Sequence, residues 1–416
     1  MYKNNKNSII LFLIWPFFAL SFAIRNYKSV WAKNIIWLFV IFHGYTLTIH
    51  SETAEGSIDA NRYKLQLAEM HGQEMSFDNF TASLYSEDTQ YLDVFQPALI
   101  FLVSRITGNH HILFAIFGLI FGFFYSRNIW YLIDKAGPGM KSVNIPIILT
   151  FAFIVGFWEI NGFRFWTATL VFFYGVLPYL FEGKKKYLLF SFLSIFIHFS
   201  YLFPIVILLI YLAAGRRANI YFALFIASMF IKELNLSTIG DYLSNNLPEI
   251  FLPRVKGYTS EDYANEIADT YLTANWYAVI YRDILKWVIV AFMTVVFFKG
   301  KKFIDNNKNF DSVFSFTLLL YAIANIFSLV PSGGRFLYLA NLCAFAFILL
   351  YVQFAPDLKI IKKLITLSVP ALILYCIVSV RIAFDTMGFF SIFGNPLLTF
   401  FIDVDITLIE VAKGLF

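Results

Sequence analysis

The sequence predicts an all-α protein, a polytopic membrane bundle of about 11 to 13 transmembrane helices. Three observations predict this fold class. The chain has 416 residues, of which 59% are hydrophobic and 14% are charged, and its mean hydropathy is +0.69. Apolar runs long enough to cross, or nearly cross, a bilayer recur along the whole chain. Lysine clusters follow several of these runs, as they do at the cytoplasmic ends of membrane helices. A soluble globular protein is therefore excluded.

The first apolar run sets the orientation of the others. Lys3 and Lys6 precede it and Arg25 follows it at once, so we expect an uncleaved first helix rather than a signal peptide. The cationic linker after this helix belongs inside the cell, which puts the N-terminus outside. The predicted runs are Ile9–Ile24, Ile35–His50, Ile112–Ser126, Ile145–Ile160, Phe163–Phe181, Tyr187–Ala213, Ile220–Ile231, Ala278–Phe298, Val313–Val330, Phe336–Phe354 and Leu364–Ala383.

Two stretches do not fit a single crossing. The run 187–213 is too long and has cations at both ends, so we expect it to break between His198 and Pro204 into a hairpin of two short helices. The stretch 94–107 contains Pro97 and Arg105 and is too short to cross. We expect it to form a re-entrant or interfacial segment on the outer side.

The chain as a whole predicts one membrane domain over residues 1–416. Two polar stretches, residues 51–93 and 233–275, form sizeable loops on the predicted outer side. Cys343 and Cys376 lie in apolar runs and suggest neither a disulfide nor a thiol site. The net charge of +5 reports the orientation of the helices and does not imply nucleic acid as a partner.

Arginines on the predicted outer side are the main functional signal. An arginine at the centre of a membrane helix costs about 2.5 to 3.5 kcal/mol, so a group of them at the outer rim needs a reason. Some of them lie where inward-running helices are predicted to begin, a position that favours anions, and a guanidinium matches phosphate oxygens with two parallel hydrogen bonds. The sequence therefore predicts a diphosphate site. The group is Arg62, Arg105, Arg164, Arg254, Arg282, Arg335 and Arg381.

The alternative is that these arginines contact lipid headgroups or nearby acids. Arg381 and Asp385, at i,i+4 spacing, fit such a pair. For the whole group this explanation is weaker, because headgroup contacts would use lysine equally.

Further candidates lie near the predicted outer face. If residues 59–63 are helical, Asp59, Arg62 and Tyr63 share one face, although an ion pair on a solvated loop fits equally. His198 lies in a strongly apolar run and is a candidate for proton transfer, with a structural histidine as the alternative. Aromatic residues near this face supply either sugar platforms or interface anchors, namely Trp158, Trp166, Trp276 and Tyr277.

Motifs for zinc, ATP and dinucleotide binding do not occur in the sequence, so no metal and no cofactor are predicted. Asp403, Val404 and Asp405 form a DxD string of the kind that holds metal and nucleotide-sugar phosphates. We discount this string because such tripeptides are common and its predicted outer position has no supply of nucleotide sugars.

Four short motifs follow one another along the chain. They are Gly56-Ser57-Ile58-Asp59 with Arg62 and Tyr63, Asp93 with Phe95-Gln96-Pro97, Arg164-Phe165-Trp166-Thr167-Ala168, and the run Lys184–His198. With these motifs the chain resembles, over most of its length, the EpsG/Wzy-type family of bacterial polysaccharide polymerases. The resemblance implies an inner-membrane enzyme that joins undecaprenyl-diphosphate-linked oligosaccharide repeats into O-antigen, capsule or exopolysaccharide. It implies this lipid-linked sugar and the bilayer as partners, with a chain-length regulator and a flippase beside them.

Together, the residues and the resemblance predict a metal-independent glycosyl transfer on the outer side. A sugar hydroxyl attacks the anomeric carbon of the donor and the lipid diphosphate leaves. The alternatives are a ligase-like glycosyltransferase with another acceptor, and a flippase or transporter of the same lipid-linked sugar. The predicted roles are diphosphate binding by Arg62, Arg164, Arg282, Arg335 and Arg381, proton acceptance by His198 or Asp59, and sugar binding by Tyr63, Trp158 and Trp276.

Overall fold

The structure, a computed structural model, describes residues 5–49, 58–73, 75–84, 93–246, 252–260, 275–402 and 405–414. The all-α prediction is confirmed, since 81% of the described residues are helical. Within the described part, β-type pairing is limited to an antiparallel bridge between Gly388 and Thr407. Gly56, Ser57, Asp403, Val404 and the side chain of Arg254 lie outside the described residues.

The described helices are numbered here in chain order. Up to residue 136 they are α1 (Asn5–Ile14), α2 (Pro16–Arg25), α3 (Ala32–Tyr45), α4 (Ile58–Gly72), α5 (Phe77–Leu84), α6 (Phe95–Ser104) and α7 (His110–Ala136). From residue 144 they continue as α8 (Asn144–Ile154), α9 (Phe163–Glu182), α10 (Leu188–Ile197), α11 (Leu202–Ala214), α12 (Ala218–Ser228), α13 (Leu236–Asn246) and α14 (Leu252–Tyr258). The later ones are α15 (Trp276–Lys299), α16 (Lys301–Asp305), α17 (Lys308–Phe327), α18 (Phe336–Phe354), α19 (Lys359–Ala383), α20 (Phe389–Phe393), α21 (Pro396–Thr399) and α22 (Leu408–Gly414).

Membrane-spanning length is reached by five stretches of the described chain: α7, the stretch Asn144–Glu182 that contains α8 and α9, and α17, α18 and α19. The prediction of a multi-pass membrane protein is confirmed. Other predicted crossings correspond to shorter apolar helices, such as α2, α11 and α12. A ten-residue helix is only about 15 Å long, so these elements cross a bilayer only in combination with neighbouring segments. The total number of crossings stays a prediction.

Lysines gather at one end of the bundle, which we call the lysine end. Lys135, at the end of α7, donates to Glu182 at the end of α9, at 2.8 Å. Asp357 pairs with Lys141 at 3.3 Å and with Lys362 at 2.8 Å. The opposite end, where α9, α15 and α18 begin, is the arginine end. Cations are thus sorted along the bundle as the topology requires.

The predicted break at His198 is confirmed, and the two halves of this run form a hairpin. The hydroxyl of Tyr201, at the start of α11, donates to the hydroxyl of Thr169 in the first half of α9. Further along α11, Tyr211 donates to the carbonyl of Ser312 at 3.1 Å, near the lysine-end start of α17. The run therefore begins and ends at the lysine end, and His198 lies at the arginine end.

The structure agrees with the re-entrant prediction for α6, because both of its ends lie at the arginine end. The ring of Phe95, at the start of α6, stacks on Phe163 at the start of α9, with centroids 6.3 Å apart. At the other end of α6, the carbonyl of Ser104 accepts from Nδ1 of His71 at 2.6 Å. The next helix, α7, then begins and runs to the lysine end.

The first predicted outer loop is itself partly helical. Ala60, Tyr63, Leu67 and Met70 are buried and recur at helical spacing along α4. This apolar stripe packs on α6 and α7. The packing holds the polar residues of α4 close to the start of α9.

Candidate functional site

A cavity of about 680 Å³ lies between α15, α17, α18 and α19 towards the arginine end. Its volume is in the range of small-molecule sites, which is about 300 to 1,000 Å³. Among its described lining residues are three cations, Arg282, Lys286 and Arg335, and one carboxylate, Asp283. The polar and aromatic walls include Trp166, Tyr321, Tyr338, Asn341 and Tyr375.

Helix α15 supplies most of the charge in the cavity. Arg282 and Lys286 are at i,i+4 spacing, so both project from one face of the helix. The Arg282 Nε donates to the hydroxyl of Tyr281 at 2.9 Å, and its guanidinium lies 5.8 Å from the ring centre of Tyr338. Charged residues within an otherwise apolar helix are costly in a membrane, which makes this group a functional candidate.

The loop before α18 holds Arg335 in a defined position. Ser332 has a positive φ of 61°, a left-handed conformation that costs a non-glycine residue roughly 1 to 3 kcal/mol. Its hydroxyl accepts from Nη2 of Arg335 at 3.0 Å. Gly333 lies against the carbonyl of Phe327 so closely that a Cβ would overlap with it. The strained turn therefore fixes the guanidinium before any ligand binds.

Arg164 belongs to a separate, charge-compensated network. Its Nη1 pairs with Asp93 at 3.1 Å, its Nη2 lies 3.9 Å from Asp59, and its Nε donates to the hydroxyl of Tyr63 at 3.1 Å. Asp93 also accepts from the backbone N–H of Phe199 at 2.5 Å. Burial raises the pKa of Tyr63 to about 12, so the phenol stays protonated at neutral pH. This network ties α4, α6 and α9 to the turn after α10.

His198 forms a cap at the break between α10 and α11. Its Nδ1 accepts from the backbone N–H of Ser200 at 3.2 Å and lies 2.8 Å from the hydroxyl of the same residue. Because an N–H donates to Nδ1, neutral His198 carries its proton on Nε2. The ring of Phe165 lies edge-on to His198 at 5.4 Å, and its centre is 5.5 Å from the Arg335 guanidinium.

The remaining predicted arginines lie outside the cavity lining. Arg62 is largely exposed, and its Nη1 is 3.8 Å from Asp59 one helical turn earlier. Arg381 pairs with Asp385 at 2.9 Å, and both side chains are about half exposed. This i,i+4 pair fits the alternative interpretation of Arg381, a structural ion pair with Asp385 in place of diphosphate binding.

The three residues with a predicted sugar-binding role have different surroundings. Tyr63 is 1% exposed and serves the Arg164 network. Trp158 is buried among Ala383, Met387 and neighbouring aromatic rings. Trp276 is 67% exposed at the first position of α15.

The structure thus brings Arg282 and Arg335 together in one cavity and gathers Asp59, Arg62, Tyr63 and Arg164 in a second cluster. Sequence reasoning missed the cavity residues Asp283, Lys286 and Tyr338 as site residues, whereas it named Trp166 as a candidate sugar platform. Asp283 and Lys286 could have been predicted from the sequence, since both are charged residues in the first turns of an apolar run, where charges are costly. The role of Asp93 as the carboxylate partner of Arg164 had no such signal.

The comparisons with known proteins agree with this reading of the chain. The model of the EpsG family matches residues 70–392, more than three quarters of the chain. The chain belongs to the EpsG family. The family membership confirms the resemblance drawn from the residues and supports a polysaccharide-polymerase type of function. The match includes the whole cavity lining, whereas Asp59, Arg62 and Tyr63 of this EpsG-family protein precede it. No curated protein and no solved structure is significantly similar to the chain.

Two neighbouring glycines of this EpsG-family protein offer a matched test of the Arg335 loop. We expect Gly333→Ala to lower polymer formation at least about tenfold, since its Cβ would overlap with the Phe327 carbonyl and displace the turn. Gly334→Ala has open space around the added Cβ and is expected to keep its activity. Polymer length on gels, at equal protein level, measures both. Equal activity of the two variants would contradict a fixed Arg335 loop.

The buried Arg164 network predicts a stability difference between two Arg–Asp pairs. Asp93→Asn is expected to destabilise the protein by on the order of 2 kcal/mol, because a partly buried guanidinium loses its nearer charged acceptor. Asp385→Asn breaks the exposed pair with Arg381 and is expected to cost less than about 1 kcal/mol. Thermal unfolding of the full chain in detergent distinguishes them. Equal melting temperatures would argue against the network.

Proposed function

We propose that this protein is a membrane glycosyltransferase that joins undecaprenyl-diphosphate-linked oligosaccharide repeats into a surface polysaccharide. The observation that carries the proposal is the cavity in which Arg282, Lys286 and Arg335 line one space with Asp283 and aromatic side chains. Membership of the EpsG family supports the same type of function.

The cations of the cavity suit a diphosphate. At neutral pH a diphosphate diester carries about two negative charges, and two guanidinium groups can each bind phosphate oxygens through paired N–H donors. Arg282 comes from α15 and Arg335 from the loop before α18. They are held by hydrogen bonds to Tyr281 and Ser332, respectively. Such preorganised donors stabilise charge that develops during a reaction without having to reorganise.

The chemistry needs one bond exchange and one proton transfer. A hydroxyl of the acceptor sugar attacks the anomeric carbon of the donor, and a new C–O bond forms. The bond between this carbon and the diphosphate oxygen breaks, and the lipid diphosphate leaves with its electron pair. Arg282, Arg335 and Lys286 bind the leaving group, whereas the proton of the attacking hydroxyl passes to a base.

Asp283 is the base that the geometry favours, because it lines the same cavity as the cations. The predicted bases have other surroundings. Asp59 lies beside Arg62 and Arg164, and neutral His198 has its proton on Nε2, so that this nitrogen donates rather than accepts. His198 and Asp59 remain predictions that the variants described below compare with Asp283.

The aromatic walls suit the apolar faces of sugar rings. Trp166 and Tyr338 pack edge to face at 4.8 Å and both line the cavity. Tyr63, Trp158 and Trp276 remain predicted sugar contacts, but none of them is among the lining residues. We therefore give Trp166 and Tyr338 the sugar-binding role.

The arginine end faces outward in this proposal, at the inner membrane of a bacterium. The lysines at the opposite end support this orientation, because cytoplasmic ends of membrane helices carry the excess of positive charge. The substrates would then enter from the outer leaflet, after the lipid-linked repeat has been moved across the membrane.

Deletion of this chain, followed by analysis of lipid-linked and surface sugars, tests the function. A polymerase predicts that polymer disappears while single repeats persist on the lipid and on the final acceptor. Polymer that accumulates on the lipid alone would instead indicate a ligase. Repeats trapped on the inner leaflet would indicate a flippase, and either result would overturn the proposal.

A further inference from the structure

We propose that His110, His111 and Asp405 bind a divalent transition-metal ion, with zinc as the first candidate. The three residues come from opposite parts of the chain, the start of α7 and the segment before α22. Their ligand atoms all lie within 4.8 Å of one another. None of the three lines the arginine cavity, and the inference does not depend on the proposed polymerase function.

The distances fit ligands around an ion better than they fit hydrogen bonds. Nε2 of His110 is 3.9 Å from Oδ1 of Asp405, and Nε2 of His111 is 3.9 Å from Oδ2. A direct N–H to O hydrogen bond would be about 2.7 to 3.2 Å long. Ligands bound at about 2.0 to 2.2 Å to a common zinc ion lie roughly 3.3 to 4 Å apart. The spacing therefore leaves room for an ion between imidazoles and carboxylate.

The histidines carry a second indication. Nε2 of His110, the nitrogen that faces Asp405, is buried and has no hydrogen-bond partner among the described residues. A buried polar atom without a partner costs free energy, which a bound ligand would recover. The centroids of the two rings lie 4.1 Å apart, and Nε2 of each ring lies 3.9 Å from an oxygen of the same carboxylate.

Both halves of the site are held by the backbone. Asn109 accepts from the backbone N–H of His111 at 2.9 Å and so fixes the start of α7. On the other side, the N–H of Phe389 donates to the carbonyl of Ile406 at 2.7 Å, directly after Asp405. Preorganised ligands of this kind favour metal binding.

The ligand set indicates the class of metal. Two imidazoles and one carboxylate suit zinc and related transition metals, and leave a coordination position for water. Calcium and magnesium prefer sites made wholly or mainly of oxygen ligands, and the described ligands here offer one carboxylate. We expect the bound ion to link the segment 405–414 to the start of α7 and so to stabilise this contact. In the sequence analysis, Asp405 was discounted as part of a DxD string for nucleotide sugars. Beside the two histidines, the same carboxylate is a candidate metal ligand.

A nearby lysine opposes the proposed ion. The charge of Lys64 acts on both His111 and Asp405. Removing it with Lys64→Gln is expected to tighten zinc binding about fivefold, from simple Coulomb repulsion at the protein surface. This variant leaves all three ligands intact, so it tests the site without depending on a weakened fold.

The experiment measures zinc bound to the full-length protein in detergent after a chelator wash and dialysis against zinc. We expect about one zinc ion per chain, a rise in melting temperature with zinc but not with calcium or magnesium, and visible d–d absorption with cobalt. His110→Ala and Asp405→Asn are each expected to weaken binding about 10- to 100-fold. Asp385→Asn, which removes a carboxylate elsewhere at the same end, is the control and is expected to bind normally.

Two results would overturn the proposal. One is equal zinc content in the unmodified protein and in a His110→Ala, Asp405→Asn double variant of normal monodispersity. The other is stabilisation by calcium or magnesium in place of zinc. No change in affinity on Lys64→Gln would contradict the location of the ion next to that lysine.

Discussion

Replacing Arg335 with alanine is expected to slow polymer formation about 100- to 1,000-fold. The guanidinium is fixed by Ser332 and faces the cavity, so its loss removes a donor aimed at the leaving diphosphate. Arg282→Ala is expected to act similarly. The lysine variants should recover only part of the rate, since lysine keeps the charge but not the paired N–H geometry.

The measurement is the initial rate of polymer formation in membranes that contain each variant. Lipid-linked repeats extracted from a strain without this chain serve as substrate. Arg381→Ala is the matched control, because Arg381 is at the same end of the bundle but pairs with Asp385 outside the cavity lining. If Arg381→Ala is as slow as Arg335→Ala, the cavity is not the diphosphate site.

The second large effect is expected for Asp283→Asn, which should slow the reaction about 100- to 10,000-fold if this carboxylate accepts the proton. The amide keeps the size of the side chain and its place beside Lys286, but it is not a base. Normal polymer from Asp283→Asn at normal protein level would remove Asp283 from the mechanism.

Matched substitutions compare the three candidate bases. His198→Gln keeps a polar side chain at the break after α10, and Asp59→Asn keeps the size of the side chain beside Arg164. We expect both to retain far more activity than Asp283→Asn, because neither residue lines the cavity. Loss confined to His198→Gln or Asp59→Asn would return the role of base to that residue.

The two arginine groups should also differ in what their loss affects. Arg282 and Arg335 line a cavity and are expected to influence the rate. Arg164 is compensated by Asp93 and connects four segments of the chain, so it is expected to influence stability and, through the adjacent Trp166, the shape of the cavity wall.

Much of the fold could be predicted because its causes are local. Apolar length predicts membrane helices, and the sorting of lysine and arginine between helix ends predicts orientation. Cations at both ends of the run 187–213 predicted the break at His198, since a single crossing would have exposed one of the clusters. These properties depend on neighbours in sequence, so no tertiary contact was needed.

The site depended on contacts that sequence spacing does not give. The sequence put Arg164, Arg282 and Arg335 at one end of the bundle, but it gave neither the rotation of each helix about its axis nor the identity of its neighbours. In the packed bundle, Arg282 and Arg335 line the same cavity, whereas Arg164 forms an ion pair with Asp93. The same holds for His110 and Asp405, which meet only in the folded chain.

The sequence by itself determined that this is a multi-pass helical membrane protein with arginines gathered at one end, because hydrophobic length and charge act residue by residue. Only the tertiary structure decided which arginines line a common cavity and which form an ion pair with a carboxylate outside its lining. The physical reason is that a charge is compensated through space, at distances of a few ångströms, by side chains from distant parts of the chain.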